Sequence, residues 1–186
     1  MPAPRAPAVF YFDLADARSY LAAERIQTLG AAAEWEPVHM AALGLDPPPL
    51  DRERLAAEVQ RAGLQPLRLA RTWPPDSRLA MLAATYAKGG GRVVAFSLAA
   101  FRQTFAGGRD LGDETTVLLA AAASEMHPRA VLRAVGTSSV SQALARACER
   151  AVACGVRSLP AFWRDGRLWQ GEEALELVAR GLETDP

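Results

Sequence analysis

Two spacings of apolar residues alternate along this chain. Ala8-Val9-Phe10-Tyr11-Phe12-Asp13 is a short apolar and aromatic run, the pattern of a fully buried strand. From Ser19 to Leu29 the period changes to helical, with Tyr20, Leu21, Ile26 and Leu29 near one side and Gly30 as the stop. Glu34 to Met40 predicts a second strand, with Pro37 arguing for an edge or an early end. Strand, helix and strand in so short a span make a βαβ unit, which implies parallel pairing.

After the Pro47-Pro48-Pro49 break the period is helical as far as about Ala153. Helices are expected over 51–63, 77–88, 92–106, 114–126, 128–135 and 139–153, with caps at Asp76-Ser77 and Asp113 and a stop at Gly89-Gly90-Gly91. The strand pattern returns at Ser158 to Trp163. Arg164-Asp165-Gly166-Arg167 then predicts a tight hairpin turn, Leu168 to Gln170 the returning strand, and Glu172 to Leu182 a terminal helix. The order is β-α-β, a helical block, then β-β-α.

Composition narrows the functional classes. Of 186 residues half are apolar and 23% charged, ordinary values for one globular core. Basic and acidic residues both total 21, so the basic footprint of a nucleic-acid binder is missing. No window approaches the ~20 apolar residues of a membrane span. The first residues lack the roughly 7–15 apolar positions of a secretory signal, so a soluble, cytoplasmic protein is expected.

Candidate chemistry is sparse. Cys148 and Cys154 lie on a helical pattern, about 9 Å apart along the axis and on different faces, and form neither a CxxC nor a metal-ligand spacing. They are expected to pack as small hydrophobes. His39 and His127 lack partners at metal-binding spacing and are expected to be structural. Trp35 and Trp163 fit a core. Trp73, beside Pro74-Pro75 at the start of a helix, fits a substrate cleft.

The order of elements and four motifs resemble the DsbA-like thioredoxin families, in particular 2-hydroxychromene-2-carboxylate isomerase and the kappa-class glutathione transferases. The motifs are Tyr11-Phe12-Asp13-Leu14 with Ser19-Tyr20-Leu21-Ala22; Arg71 to Ser77 with Phe105 to Asp113; Gly155 to Phe162; and Asp165-Gly166 with Trp169 to Leu175. The resemblance spans nearly the whole chain. It implies an α/β thioredoxin fold, with residues 1–46 and 154–186 as the thioredoxin part and 47–153 as a helical insertion. It also implies a cis bond before Pro160, which would turn the Leu159 backbone outward to pair with a peptide such as glutathione.

The same resemblance assigns the candidate site. The oxidoreductases' two cysteines fall on Asp16 and Ser19, so a dithiol mechanism has no sulfurs to work with. The serine that meets the glutathione thiolate in the isomerase and kappa families falls on Asp16, and the loop proline on Ala17. A carboxylate repels a thiolate at contact distance. Asp16 fits a general base, a thiol hydrogen-bond acceptor, a solvated loop acid or a helix cap. Ser19 fits either the thiolate contact or the cap, and Arg18 either an anion-holding cation or a solvated arginine. Glu173, beside Glu172, takes the place of the acid that binds the γ-glutamyl amine. Ala174 replaces an arginine, and Asp76 replaces an asparagine.

Two readings follow. One is a glutathione-associated isomerase or transferase acting on a small substrate, with aromatic compounds among the options. The other is a non-catalytic member that keeps a groove for a peptide or small ligand. A third, disulfide oxidoreductase, is opposed by the missing cysteines. The resemblance further implies a homodimer.

Overall fold

A computed structural model describes residues 6–29 and 32–180. The first half-unit is strand β1 (Ala8–Phe12), helix α1 (Ala17–Leu29) and strand β2 (Ala33–Pro37). Helices α2 (Arg52–Arg61), α3 (Arg78–Gly89), α4 (Val93–Phe105), α5 (Glu114–Ala123), α6 (Pro128–Val135) and α7 (Ser138–Ala153) follow. Strands β3 (Ala161–Arg164) and β4 (Arg167–Gln170) and helix α8 (Glu172–Ala179) complete the chain. The four strands form one mixed sheet in the order β2-β1-β3-β4. β1 runs parallel to β2 and antiparallel to β3, and the β3–β4 hairpin is antiparallel.

β1 lies inside the sheet because its side chains are apolar on both faces, as a central strand requires. Phe10 stacks on Phe12 and Phe162 at 5.1 and 4.8 Å, and Trp35 meets Phe10 edge-on at 5.0 Å. Such pairs add about 0.5–1.5 kcal/mol each beyond their burial. Trp163 is only half-buried, packed against the rim of this cluster. At the hairpin, Asp165 and Gly166 both have positive φ, 51° and 83°, the backbone of a tight two-residue turn.

Several boundaries move from the sequence expectation. The second strand ends at Pro37, not Met40, and Met40–Leu43 forms a 3-10 turn. Val38 N–H makes the last bond to β1, to the Phe12 carbonyl at 3.0 Å, and Met40 N–H is taken by the Asp13 side chain instead. The missing N–H of Pro37 falls on the open edge of β2. β3 starts at Ala161, three residues later than expected, because the segment before Pro160 is held by a side chain: Gln170 Oε1 accepts from Arg157 N–H and Ser158 N–H. α1 starts at Ala17, two residues earlier than expected. The expected stop at Gly30 and the end of the last helix at Leu182 lie outside the described residues.

Candidate active site

The loop joining β1 to α1 is held mainly by carboxylates. Asp13, fully buried, accepts Ala15 N–H on Oδ1 at 2.9 Å and Met40 N–H on Oδ2 at 2.8 Å. Its own carbonyl accepts Asp16 N–H at 3.0 Å. One residue therefore ties the loop to the segment after β2. Leu14 N–H points at the Met81 sulfur of α3, at 3.3 Å.

Asp16 closes the N-terminus of α1. Ser19 N–H and the Ser19 hydroxyl both donate to Asp16 Oδ2, at 2.7 and 2.6 Å, and the Asp16 carbonyl begins the helical ladder with Tyr20 N–H. This is an N-cap, which satisfies one of the donors a helix start leaves open. Of the roles weighed for Asp16, the solvated loop acid is overturned: the residue is 2% exposed. Ser19 is not the cap but its partner, fully buried one turn in. Burial penalises the charged carboxylate and pushes the Asp16 pKa up to about 6, with the nearby Asp13 charge acting in the same direction. The Ser19 bonds and Arg18 N–H pull it partly back. Asp13 is also raised, again chiefly by desolvation, against hydrogen bonds from Ala15, Met40 and Ser77.

Asp16 forms part of the wall of a cleft of about 190 Å³. One side is the loop and the start of α8, with Arg18 and Glu172. The other is built from the insertion: the Pro47–Pro49 run, Asp51, Arg54 and Glu58 of α2, and Trp73. The α2 side is held by its own cap, Asp51 Oδ1 accepting Arg54 N–H at 2.9 Å. Trp73 is placed by aromatic packing across the two halves. Tyr20 of α1 stacks on Phe105 of α4 at 4.9 Å, and Trp73 meets Phe105 edge-on at 5.6 Å. Glu172 bridges the cleft, 2.8 Å from Arg54 and 3.9 Å from Arg18. Gly171 places it there: its φ of 61° turns the chain out of β4 into α8.

The remaining expected site residues are dispersed. Glu173 is exposed and outside the cleft wall, so of the adjacent acids it is Glu172 that faces the cleft. Asp76 is exposed and bonds Arg78 N–H at 2.9 Å in a local turn. Leu159 is 4% exposed and Pro160 is buried, and neither lines the cleft. The Leu159–Pro160 peptide is cis, as is Trp73–Pro74. The Pro160 carbonyl accepts Gly171 N–H at 2.8 Å. Asp13, Arg54 and the proline wall were missed by sequence reasoning. Each carried a local signal that was not read as part of the site: Asp13 in the Tyr11–Leu14 motif, the proline run as a break, and Arg54 in its i,i+4 pairing with Glu58.

Both cysteines are free and lie away from the cleft. Cys148 is buried in α7, its sulfur accepting His39 N–H at 3.4 Å, and Cys154 lies 3.9 Å from the Tyr11 hydroxyl. His127 caps α6 through Arg129 N–H.

Over residues 8–183 the sequence matches the DSBA-like thioredoxin domain family. The chain belongs to this family. Among solved structures, this DsbA-like chain is similar to a 2-hydroxychromene-2-carboxylate isomerase at TM-score 0.82 and 18% identity, covering 95% of this chain and 94% of the other. It is also similar to the cytosolic disulfide reductase DsbM from Pseudomonas aeruginosa with GSH, at TM-score 0.65 and 15% identity over 96% and 100% of the two chains. No curated protein matches it by sequence. Isomerases and disulfide reductases thus share the fold of this DsbA-like protein, and identities this low carry the fold alone. No helix among the described residues is long and apolar enough to cross a membrane.

Proposed function

We propose that this DsbA-like protein is a glutathione-associated isomerase or transferase that works by acid–base chemistry, without a dithiol, on a small substrate held in the cleft between the loop and α2. In this reading residues 1–46 and 154–186 form the thioredoxin part and 47–153 the inserted helical part. The protein acts in the cytoplasm as a homodimer.

The observation that carries the reading is the placement of Asp16. Its carboxyl sits at a helix N-terminus and has a proton affinity raised towards neutrality, and the residue forms part of the cleft wall. A carboxylate of ordinary acidity would repel a thiolate. One that takes up the thiol proton does not, because the pair then carries a single negative charge. Glutathione, when bound, would supply a nucleophilic sulfur for reversible addition to an unsaturated substrate. Asp16 would take the thiol proton and return it, while Ser19 holds its carboxyl in place. The donor set suits the rest of that ligand: Arg18 and Arg54 for its carboxylates, Glu172 for its amine, Trp73 as an apolar wall for the substrate. Support from relatives is limited to fold and to a neighbour described with GSH.

Thermal unfolding with and without millimolar reduced glutathione tests it. A ligand at 100 times its Kd adds about 2.7 kcal/mol, a readily seen rise in Tm. The rise should weaken with the S-methyl analogue, which has no proton to give Asp16, and with Glu172→Gln, and should persist in Glu173→Gln. No rise at any glutathione concentration overturns the reading. A sizing column tests the homodimer.

A second reading, a groove that binds a peptide or small ligand without turnover, is favoured by one feature. Both members of the Asp16–Ser19 pair are already bonded to each other, and buried Ala174 stands where an anion-binding arginine is expected. Binding without isomerisation of any substrate selects it. Reduction of insulin disulfides would contradict both readings.

A further inference from the structure

The insertion wall of the cleft hangs between two distant anchors. Leu45 N–H bonds the Met40 carbonyl at 3.1 Å, and the next main-chain tie to the rest of the fold is Arg68 N–H to the Phe105 carbonyl, at 2.8 Å. Among the described residues, every main-chain hydrogen bond of residues 46–67 stays within that segment. α2, at its centre, buries only Leu55 and Val59, a narrow strip at i,i+4 spacing. One polar contact leaves the segment: Arg54 Nη2 meets Glu172 Oε1 of α8 at 2.8 Å. We propose that α2 and the chain flanking it form a lid over the cleft. The Arg54–Glu172 pair latches it, and parts to admit a ligand that carries both a carboxylate and an ammonium group. The inference rests on the reading that this cleft is the ligand site.

The strength of the tie suits a lid. The Arg54 and Glu172 side chains are 59% and 57% exposed, and an exposed ion pair shifts an equilibrium by no more than about fivefold. Elements that open locally are those with few buried apolar contacts, and α2 has two. Its C-terminal side ends at Gly63, where φ is 66° and nothing lies within 4 Å of where a Cβ would stand, so the turn there can change without a clash. On the other side the Pro47–Pro49 run has fixed φ angles and moves as one piece with the helix.

The latch also sets which ligand fits. Glu58, on the lid itself, holds Arg54 Nε at 3.1 Å and keeps that guanidinium at the lid's edge when Glu172 lets go. A ligand with only a carboxylate takes Arg54 and leaves Glu172 to Arg18, at 3.9 Å. A ligand with only an amine takes Glu172 and leaves Arg54 to Glu58. A ligand with both charges replaces both halves of the latch and ties α2 to α8 through itself, so the lid closes over it.

The measurement is amide hydrogen exchange by mass spectrometry on the full chain. Amides of α2 should exchange faster than those of α3 to α5, through an opening smaller than global unfolding. Glu172→Gln, a change outside the lid, should speed exchange across α2 by about two- to fivefold and leave α3 to α5 unchanged. High salt should erase the difference by weakening the latch of the native protein. Arg18→Gln, which leaves the latch intact, should not move α2. An α2 rate that Glu172→Gln leaves unchanged, or that rises together with α3 to α5, overturns the inference. Reduced glutathione should slow α2, and N-acetylglutathione, which lacks the ammonium group, should slow it less. Equal slowing by the two overturns the two-charge requirement. If glutathione moves neither α2 nor the Tm, the proposed function fails, while Glu172→Gln still decides the lid. An α2 rate insensitive to Glu172→Gln with an intact glutathione-induced Tm rise overturns the lid alone.

Discussion

Two buried acids in this protein sit in opposite kinds of surroundings. Glu36, near the end of β2, is 7% exposed and is met by Lys88 at 2.6 Å and Arg150 at 3.1 Å. Lys88 also reaches Glu34 at 2.9 Å. Asp16, at the start of α1, is 2% exposed and is met by a hydroxyl, backbone N–H groups and the field of another acid. Glu36 is a staple that joins β2 to α3 and α7. Its charge is compensated on the spot, so nothing remains for chemistry. Asp16 is compensated only by dipoles, and the shortfall appears as an affinity for a proton. Glu36 is thus neutralised by cations, whereas Asp16, in the cleft wall, and its neighbour Asp13, outside it, are held by hydrogen bonds from N–H and hydroxyl groups.

The largest effect expected from breaking this contrast is on the pH dependence of stability. An acid whose pKa is higher folded than unfolded binds its proton more tightly when folded. Its contribution to stability is complete below about 3.8 and is lost as pH rises through about 6. At 1.36 kcal/mol per unit, Asp16 costs roughly 3 kcal/mol between those limits. Asp16→Asn keeps a competent cap and should flatten that part of the curve. Urea melts from pH 4 to 7 with an unchanged slope would show that Asp16 is not the group responsible.

Glu36→Gln tests the other acid. It leaves Lys88 and Arg150 without their shared carboxylate, and because both cations are partly exposed the loss should be about 1–2 kcal/mol, less than for a fully buried pair. The effect should shrink in high salt. A salt-independent loss would point to packing.

Ser19→Ala comes next. Removing a 2.6 Å bond between buried groups should cost about 1 kcal/mol. It should also raise the Asp16 midpoint further, since that bond favours the ionised form. A fall in the midpoint would contradict the assignment of Ser19 as donor. The smallest effect is expected from Glu172→Gln. Its pairs with Arg54 and Arg18 are exposed, so the Tm of the free protein should not change measurably, while the glutathione-induced rise is reduced.

The architecture was legible in the chain because strands and helices declare themselves by local period. Phe10 and Phe12 lie in a run with no polar break, and α3 to α7 start and stop near their expected positions. The site was only half legible. Asp16 and Ser19 were singled out by alignment to a motif, and Trp73 by its prolines. That Asp16 is buried, and joined to Ser19 by two bonds, depends on what packs over the loop. The choice between Glu172 and Glu173 could not be read locally either. Adjacent helix residues point about 100° apart, and only the angle at which α8 leaves Gly171 selects one.

What this sequence determined by itself was the order of its elements, its mixed sheet and the lack of a cysteine pair at the loop, since period, turn residues and residue identity are properties of short stretches. Tertiary structure decided the electrostatics. Arg54 lies 118 residues from Glu172, Met40 lies 27 from Asp13, and Lys88 lies 52 from Glu36. Whether a carboxylate meets a cation, a dipole or another acid is set by such distant contacts, and so is the proton affinity on which the proposed chemistry rests.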